Sequence, residues 1–304
     1  MKIPVIVIGG PTASGKSQLA LEWAYKLDGE IVSSDSRQVY KFMDIGTAKP
    51  TLKERSRVPH HLLDIIYPNQ TMSAGEYQKL ARSVIREIYN RGRIPFLVGG
   101  TGLYIRATIR DIELPPKVDE IVREKIKERI RREGLDTLYE ELRHLDPVSA
   151  SKIKPTDEIR ITRALEVYYG TGRSILSYHK GIDKDYPEYE ITYIVLNPPR
   201  DILYKRIEER VDKMIELGLI EETKNILDMG FSSELPSLQT LGYREIIRYL
   251  KGIYSLDEAI EEIKKETRHY AKRQLTWFRN EIRVKLVSYE EVTDVFCEIS
   301  RYRK

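Results

Sequence analysis

The segment at residues 10–17 constrains the fold more than any other part of this sequence. It reads GPTASGKS and matches the pattern G-x-x-x-x-G-K-[ST] in full. An unbroken apolar run at residues 3–8 precedes it and apolar residues at helical spacing follow it, which is typical of a buried strand and a helix. In that context backbone N–H groups and the helix N-terminus face an anion, Lys16 reaches terminal phosphates and Ser17 can hold Mg²⁺. The segment therefore predicts a phosphate-binding loop (P-loop), although an ordinary glycine-rich turn is the alternative.

A short segment at residues 30–33 (EIVS) is predicted to be a second strand, apolar runs of strand length lie at 94–98 and 191–196, and another apolar run covers 62–66. Helical patterns separate them, so we predict an α/β fold whose parallel-sheet core resembles that of P-loop NTPases. Two of the predicted strands are followed by polar or glycine-rich segments. The segment SDSRQ at 34–38 follows the strand at 30–33, and GGTGLY at 99–104 follows the strand at 94–98. Because open parallel sheets place their chemistry at the carboxyl ends of strands, we expect both segments beside the P-loop.

A long segment without strand patterns interrupts this alternation. It begins at Leu114-Pro115-Pro116, is wholly helical in its periodicity from 118 to 169, and returns through a polar linker at 181–190. We therefore predict three segments: the first part of the α/β core (1–113), a helical insertion (114–190), and the second part of the core with a basic C-terminal helix (191–304).

Composition excludes several classes of protein. The net charge of the 304 residues is only +4, so any affinity for nucleic acid must come from local basic patches. The single Cys297 excludes a disulfide framework and a Cys-based zinc site, and the adjacent His60 and His61 favour a structural turn over a metal site because no further ligands lie near them in sequence. No apolar run approaches the roughly 20 residues needed to cross a membrane, and the first predicted strand leaves no room for a signal peptide. We expect a cytoplasmic protein.

Two groups of basic residues are candidates for binding phosphates. Arg206 and Arg210 are four residues apart on a predicted helix, where they could clamp a diphosphate or form ordinary surface salt bridges. Residues 264–285 contain eight Lys or Arg against two Glu, with His269, Tyr270, Trp277 and Phe278 among them. Such a mixture suits looped or single-stranded RNA, and a plain amphipathic helix is the alternative.

Seven segments, in order along almost the whole chain, resemble one family, the tRNA dimethylallyltransferases (also called tRNA isopentenyltransferases). They are residues 10–17, 35–40, 46–49, 99–104, 160–166, 241–245 and 272–277. Each match is weak alone, but the series is specific. The zinc-finger extension of some eukaryotic members is absent from the sequence, which therefore resembles the short bacterial type.

The resemblance implies transfer of the dimethylallyl group from dimethylallyl diphosphate to N6 of an adenosine. That adenosine lies directly 3′ of the anticodon in tRNAs that read codons beginning with U. Asp35 would orient the amine and accept its proton, Thr101 and Arg210 would neutralise the departing diphosphate, and Mg²⁺ on Ser17 would be the cofactor. The donor-binding residues implied are Gly10, Pro11, Thr12, Ala13, Ser14, Gly15, Lys16, Ser17 and Arg206.

The same resemblance implies contacts with the anticodon stem-loop of tRNA, and we expect the protein to be a monomer. The matching positions are Asp35, Ser36, Arg37, Gln38, Thr101, Arg123, Ile159, Arg160, Ile161, Thr162, Arg163, Gln239, Thr240, Leu241, Gly242, Tyr243, Arg244, Lys272, Arg273, Gln274, Trp277 and Arg279.

Two other uses of a P-loop remain open at this point. One is a small-molecule kinase, with Arg206 and Arg210 as lid arginines, Asp35 on the acceptor hydroxyl and the insertion as a lid. The other is a non-catalytic RNA-binding ATP switch. Both require a nucleotide-bound Mg²⁺, which an Asp at the end of a second strand usually helps to hold. Only Asp35 and Asp64 are candidates, and neither alternative explains residues 264–285.

Overall fold

The computed structural model describes residues 2–179, 184–288 and 290–302. The chain forms two compact units: the first comprises Met1–Met72, Glu76–Ile109 and Pro187–Lys304, and the second comprises Ser73–Gly75 and Arg110–Tyr186. The second unit therefore begins and ends slightly earlier than the predicted insertion at 114–190. Part of the predicted linker, residues 181–183, lies outside the described residues.

The first unit contains a parallel sheet, which confirms the predicted α/β class. Its strands are β1 Ile3–Gly9, β2 Gly29–Ser33, β3 His60–His61, β4 Ile94–Gly99, β5 Tyr189–Leu196 and β6 Lys285–Val287, in the order β3-β2-β4-β1-β5-β6. Gly9 is paired with Gly99, and Ser33 with Val98. The carboxyl ends of β1, β2 and β4 are thus level, so the loops that follow them start at one edge of the sheet.

The two edge strands differ from what the sequence predicted. His60 and His61, expected in a turn, form the two-residue strand β3, where the His61 Nε2 lies 2.6 Å from the buried Glu30 carboxylate. The apolar run at 62–66 does not continue the strand, because Leu62 and Asp64 adopt positive φ angles of 62° and 57°. β6 was not predicted at all, since three residues carry too little pattern.

Thirteen α-helices occur in the described residues. They are α1 Lys16–Lys26, α2 Leu52–Arg57, α3 Ala74–Asn90, α4 Gly102–Ile109, α5 Glu120–Glu133, α6 Leu135–Leu145, α7 Pro147–Ala150, α8 Glu158–Thr171, α9 Arg200–Glu216, α10 Leu219–Asp228, α11 Tyr243–Leu250, α12 Leu256–Arg279 and α13 Val292–Ile299. In this described part of the chain, no helix is long and apolar enough to cross a membrane.

Each unit has its own apolar core. In the first unit α1 and α13 pack on the sheet, while α9 to α12 and the segment from Val39 to Met43 form a second cluster that includes Tyr243 and Ile263. In the second unit α5 to α8 pack around Leu138, Leu142 and Leu165. The helical content of 118–169 is as predicted, and it arises because apolar residues recur on one face of each helix.

Candidate active site

A cavity of about 410 Å³ lies in the first unit, next to the carboxyl ends of β1 and β2. Five parts of the chain line it: the P-loop and the start of α1, the loop after β2, the loop at 46–48, helix α9, and the segment from 239 to 244 together with helix α12. Its charged lining residues are Lys16, Asp35, Arg37, Arg210, Arg244, Glu266 and Arg273. Cations therefore outnumber carboxylates around the cavity, which favours an anionic ligand.

The P-loop adopts the geometry that its sequence predicted. It connects β1 to α1, Gly15 has a φ of 83° and Ala13 a φ of 61°. Lys16 Nζ donates to Pro11 O at 3.1 Å and faces the cavity with Thr12 and Ser17. Burial, followed by repulsion from Arg210, lowers the pKa of Lys16 to about 8, although Asp35 opposes the shift. A bound anion would remove this repulsion.

Asp35 and Arg210 face the same cavity from opposite parts of the chain. Asp35 follows β2, and its Oδ1 accepts a hydrogen bond from the Arg37 backbone N–H at 2.8 Å. Arg210 lies on α9, where burial lowers its pKa and the charge of Asp35 opposes that change. A carboxylate can act as the base that takes a proton from a neutral nucleophile. Two cations can stabilise an anionic leaving group. The cavity contains both kinds of group.

Seven residues predicted to contact the donor do not line the cavity: Gly10, Pro11, Ala13, Ser14, Gly15, Thr101 and Arg206. Thr101 lies at the start of α4, where its Oγ1 accepts from the Ser36 N–H at 2.9 Å and its own N–H donates to Ser34 O at 3.1 Å. Arg206 lies one turn before Arg210 on α9. The structure places Thr101 where it supports the loop that carries Asp35.

The loop at 46–48, on another side of the cavity, is held by a residue that the sequence analysis missed. The carboxylate of Glu222 accepts hydrogen bonds from the N–H groups of Asp44, Ile45 and Gly46 at 2.8 to 3.1 Å, and from the Tyr243 hydroxyl at 2.6 Å. A Cβ on Gly46 would lie 2.5 Å from the Tyr243 ring, which explains glycine at this position. No sequence signal joins Glu222 to a loop so far away in the chain.

Apart from Thr101, described above, the predicted tRNA-contacting residues line the cavity, lie elsewhere in the first unit, or lie in the second unit. Those that line the cavity are Asp35, Ser36, Arg37, Gln38, Gln239, Thr240, Leu241, Gly242, Arg244, Arg273 and Gln274. Lys272 and Arg279 are exposed on α12, and Trp277 is half-buried with the Arg106 guanidinium 4.2 Å from its ring centroid. Tyr243 and Ile161 are 0% exposed, so a contact between tRNA and these two side chains does not agree with their burial.

The remaining predicted residues lie in the second unit. They are Arg123 on α5 and Ile159, Arg160, Ile161, Thr162 and Arg163 on α8. Arg123 and Arg163 both form ion pairs with the buried Glu166, at 2.7 and 3.1 Å, and this pairing raises the pKa of Arg123. Ile159 is 83% exposed.

Helix α12 supplies further lining residues that were not predicted as site residues. Ile263, Thr267 and Tyr270 face the cavity with Gln274, and their spacing of three and four residues is the helical signal that could have identified this face. Burial, assisted by the charge of Asp35, raises the pKa of Tyr270 to about 12.

Comparisons with known proteins identify the family to which this chain is similar. A family model described as IPP transferase matches residues 38–281. The tRNA dimethylallyltransferase of Thermoanaerobacter sp. (strain X514) is 50% identical over 283 residues, covering 92% of this chain and 90% of the relative. That of Carboxydothermus hydrogenoformans is 50% identical over 286 residues, covering 94% and 92%.

Solved structures show the same similarity. The tRNA isopentenylpyrophosphate transferase from Bacillus halodurans superposes with a TM-score of 0.72 at 41% identity, over 99% of this chain and 97% of that one. A eukaryotic dimethylallyltransferase, whose structure is described as acting on tRNA, gives a TM-score of 0.78 at 29% identity, over 98% of this chain and 77% of that one.

Proposed function

The chain belongs to the IPP transferase family of tRNA dimethylallyltransferases, and on that premise we propose which substrates meet in its cavity. The donor is dimethylallyl diphosphate, and the acceptor is N6 of the adenosine directly 3′ of the anticodon, in tRNAs that read codons beginning with U. The observation that carries the proposal is the arrangement of Lys16, Arg210 and Asp35 around one cavity.

The cations of the cavity suit the diphosphate. Lys16 at the start of α1 and Arg210 on α9 would bind its oxygens, and both would stabilise the negative charge that develops as the allylic C–O bond breaks. Ser17 is exposed at the same helix end and lines the cavity. A hydroxyl oxygen suits Mg²⁺, which binds through few protein ligands plus substrate phosphates. We propose that Ser17 holds Mg²⁺, which would supply further charge neutralisation.

Asp35 would act on the acceptor. As the allylic carbon leaves the diphosphate oxygen, it forms a bond with N6 of adenosine, and the proton released from N6 passes to the Asp35 carboxylate. The adenine must leave its stack in the anticodon loop to reach such a cavity. The P-loop recognises phosphates and not adenine, so its presence does not require ATP.

The comparisons favour this reaction over a small-molecule kinase. The structure also removes Asp64 as a ligand for a nucleotide-bound metal, because its carboxylate forms ion pairs with Lys49 at 2.6 Å and Arg55 at 2.9 Å.

Donor binding should be detectable as thermal stabilisation. Dimethylallyl diphosphate with Mg²⁺, at a hundredfold excess over its Kd, should stabilise the folded protein by about 2.7 kcal/mol, measured as a rise in Tm. A Lys16→Met variant should show a much smaller shift at the same ligand concentration. Strong stabilisation of the wild type by ATP and none by the prenyl donor would contradict the proposal.

RNA binding should depend steeply on salt through α12. Charge removal in the double variant Lys272→Gln/Arg273→Gln should weaken binding of an anticodon stem-loop and reduce the slope of log K against log salt by about 0.7 to 0.9 for each lost phosphate contact. Lys265→Gln is the matched control, because Lys265 lies on the same helix but pairs with Glu262 at 3.0 Å. Equal slopes for the double variant and the wild type would show that these residues do not contact phosphates.

A further inference from the structure

Gln274 lies on α12 directly after the exposed Lys272 and Arg273, but its side chain points into the protein. It is 7% exposed. Its Oε1 accepts a hydrogen bond from the Thr12 N–H in the P-loop at 2.9 Å, and its Nε2 donates to Gly100 O, after β4, at 2.9 Å. One carboxamide thus joins the P-loop to the loop after β4, and both of its polar atoms are used.

The connection continues from the loop after β4 to the loop that carries Asp35. The residue after Gly100, Thr101, donates its N–H to Ser34 O at 3.1 Å and accepts from the Ser36 N–H at 2.9 Å. Ser34 and Ser36 are the two neighbours of Asp35 in the chain. The hydrogen bonds of Gln274 and Thr101 therefore connect the P-loop, through the adjacent residues Gly100 and Thr101, to the backbone on both sides of Asp35.

Close packing fixes α12 in this position. A Cβ on Gly100 would lie 2.3 Å from Gln274 Nε2, and a Cβ on Gly102 would lie 2.0 Å from Trp277 Nε1. Gln274 and Trp277 are three residues apart, on the same side of the helix, so two glycines allow this side to approach the loop. If the Gln274 side chain turned outward, the Thr12 N–H and the Gly100 carbonyl would lose these partners, which is unfavourable for buried polar groups.

We propose that Gln274 is a positioning residue for the transfer reaction, which sets the P-loop against the Asp35 loop, and that it is not a contact for tRNA. This inference rests on the proposed function. The reacting atoms must approach to about 3–3.5 Å, and a displacement of about 1 Å can lower the rate about 10²-fold. A group that fixes the distance between the donor-binding loop and the base therefore controls the rate through the positions of these two loops.

The test separates the rate of transfer from the binding of RNA. Gln274→Met keeps the approximate length of the side chain and removes both hydrogen bonds. We expect its single-turnover rate at saturating donor and stem-loop to fall about 10²-fold, while the Kd for the stem-loop stays within about twofold of wild type and the salt slope is unchanged. Lys272→Met, two residues earlier, should have the opposite effect on binding, with a larger Kd for the stem-loop and a smaller salt slope.

A second variant protects the test against misfolding. Gln274→Glu preserves the acceptor for the Thr12 N–H but places a carboxylate against the Gly100 carbonyl, so it too should slow transfer without weakening RNA binding. Thermal melting establishes which variants are folded. A folded variant that binds RNA as weakly as Lys272→Met, yet transfers at the wild-type rate once saturated, would overturn the positioning role. An inactive wild type would instead overturn the proposed function, and the positioning role with it.

Discussion

Asp35→Asn should lower the single-turnover rate of dimethylallyl transfer by about 10²–10⁴, the usual contribution of a positioned base, while both substrates still bind. The carboxamide has nearly the same shape, and its Oδ1 can still accept from the Arg37 N–H. It cannot take up the proton that N6 loses when the new C–N bond forms. The rate is measured at saturating donor and stem-loop, beside the Kd of each substrate.

The alternative is that Asp35 only stabilises the turn after β2. On that alternative Asp35→Asn, which keeps the acceptor for the Arg37 N–H, would leave both folding stability and turnover near those of the wild type. Asp119→Asn is a matched control, because the Asp119 Oδ1 likewise accepts from the N–H two residues later, that of Ile121, at 3.0 Å, and Asp119 does not line the cavity. If Asp35→Asn behaves like Asp119→Asn, with little change in Tm and unchanged transfer, Asp35 is not the base.

The parallel sheet and the placement of Asp35 could be predicted because each depends on local pattern. Runs of strand length followed by polar loops indicate a sheet edge, and β1, β2 and β4 are long enough to show that pattern. β3 and β6 have only two and three residues, and their pairing depends on neighbours far away in the chain. Such edge strands carry no periodicity of their own.

The sequence could predict which segments form the site, but not which way the side chains of those segments point. Lys272, Arg273 and Gln274 were all assigned to tRNA, whereas helical spacing places Lys272 and Gln274 on different sides of α12. Tyr243 was assigned in the same way, yet it is buried against Gly46 and binds Glu222. Glu222 itself lies 176 residues from Gly46 in the sequence, and one sequence gives no measure of contact at that distance.

The ammonium of Lys16 should make donor binding depend on pH in a defined direction. Lys16 attracts the diphosphate only when it is protonated, and burial beside Arg210 lowers its pKa to about 8 in the free protein. The second pKa of a phosphoryl group is about 6, so the diphosphate of the donor is already fully ionised at about pH 8. Affinity for dimethylallyl diphosphate should therefore be constant between about pH 7 and pH 8 and decline by up to about tenfold per pH unit above pH 8, as measured by titration calorimetry.

Substitutions at Lys16 test both its charge and its pKa. Lys16→Met should lose the pH dependence together with about 10²–10³-fold in transfer rate, the usual cost of removing one group that stabilises developing negative charge. Lys16→Arg remains protonated throughout this range, so it should bind the donor with a flat profile. Arg210→Met removes the cation that helps to lower the pKa, and should move the inflection of the wild-type profile to higher pH. A flat wild-type profile from pH 7 to about pH 10 would contradict a role for the Lys16 ammonium in holding the donor.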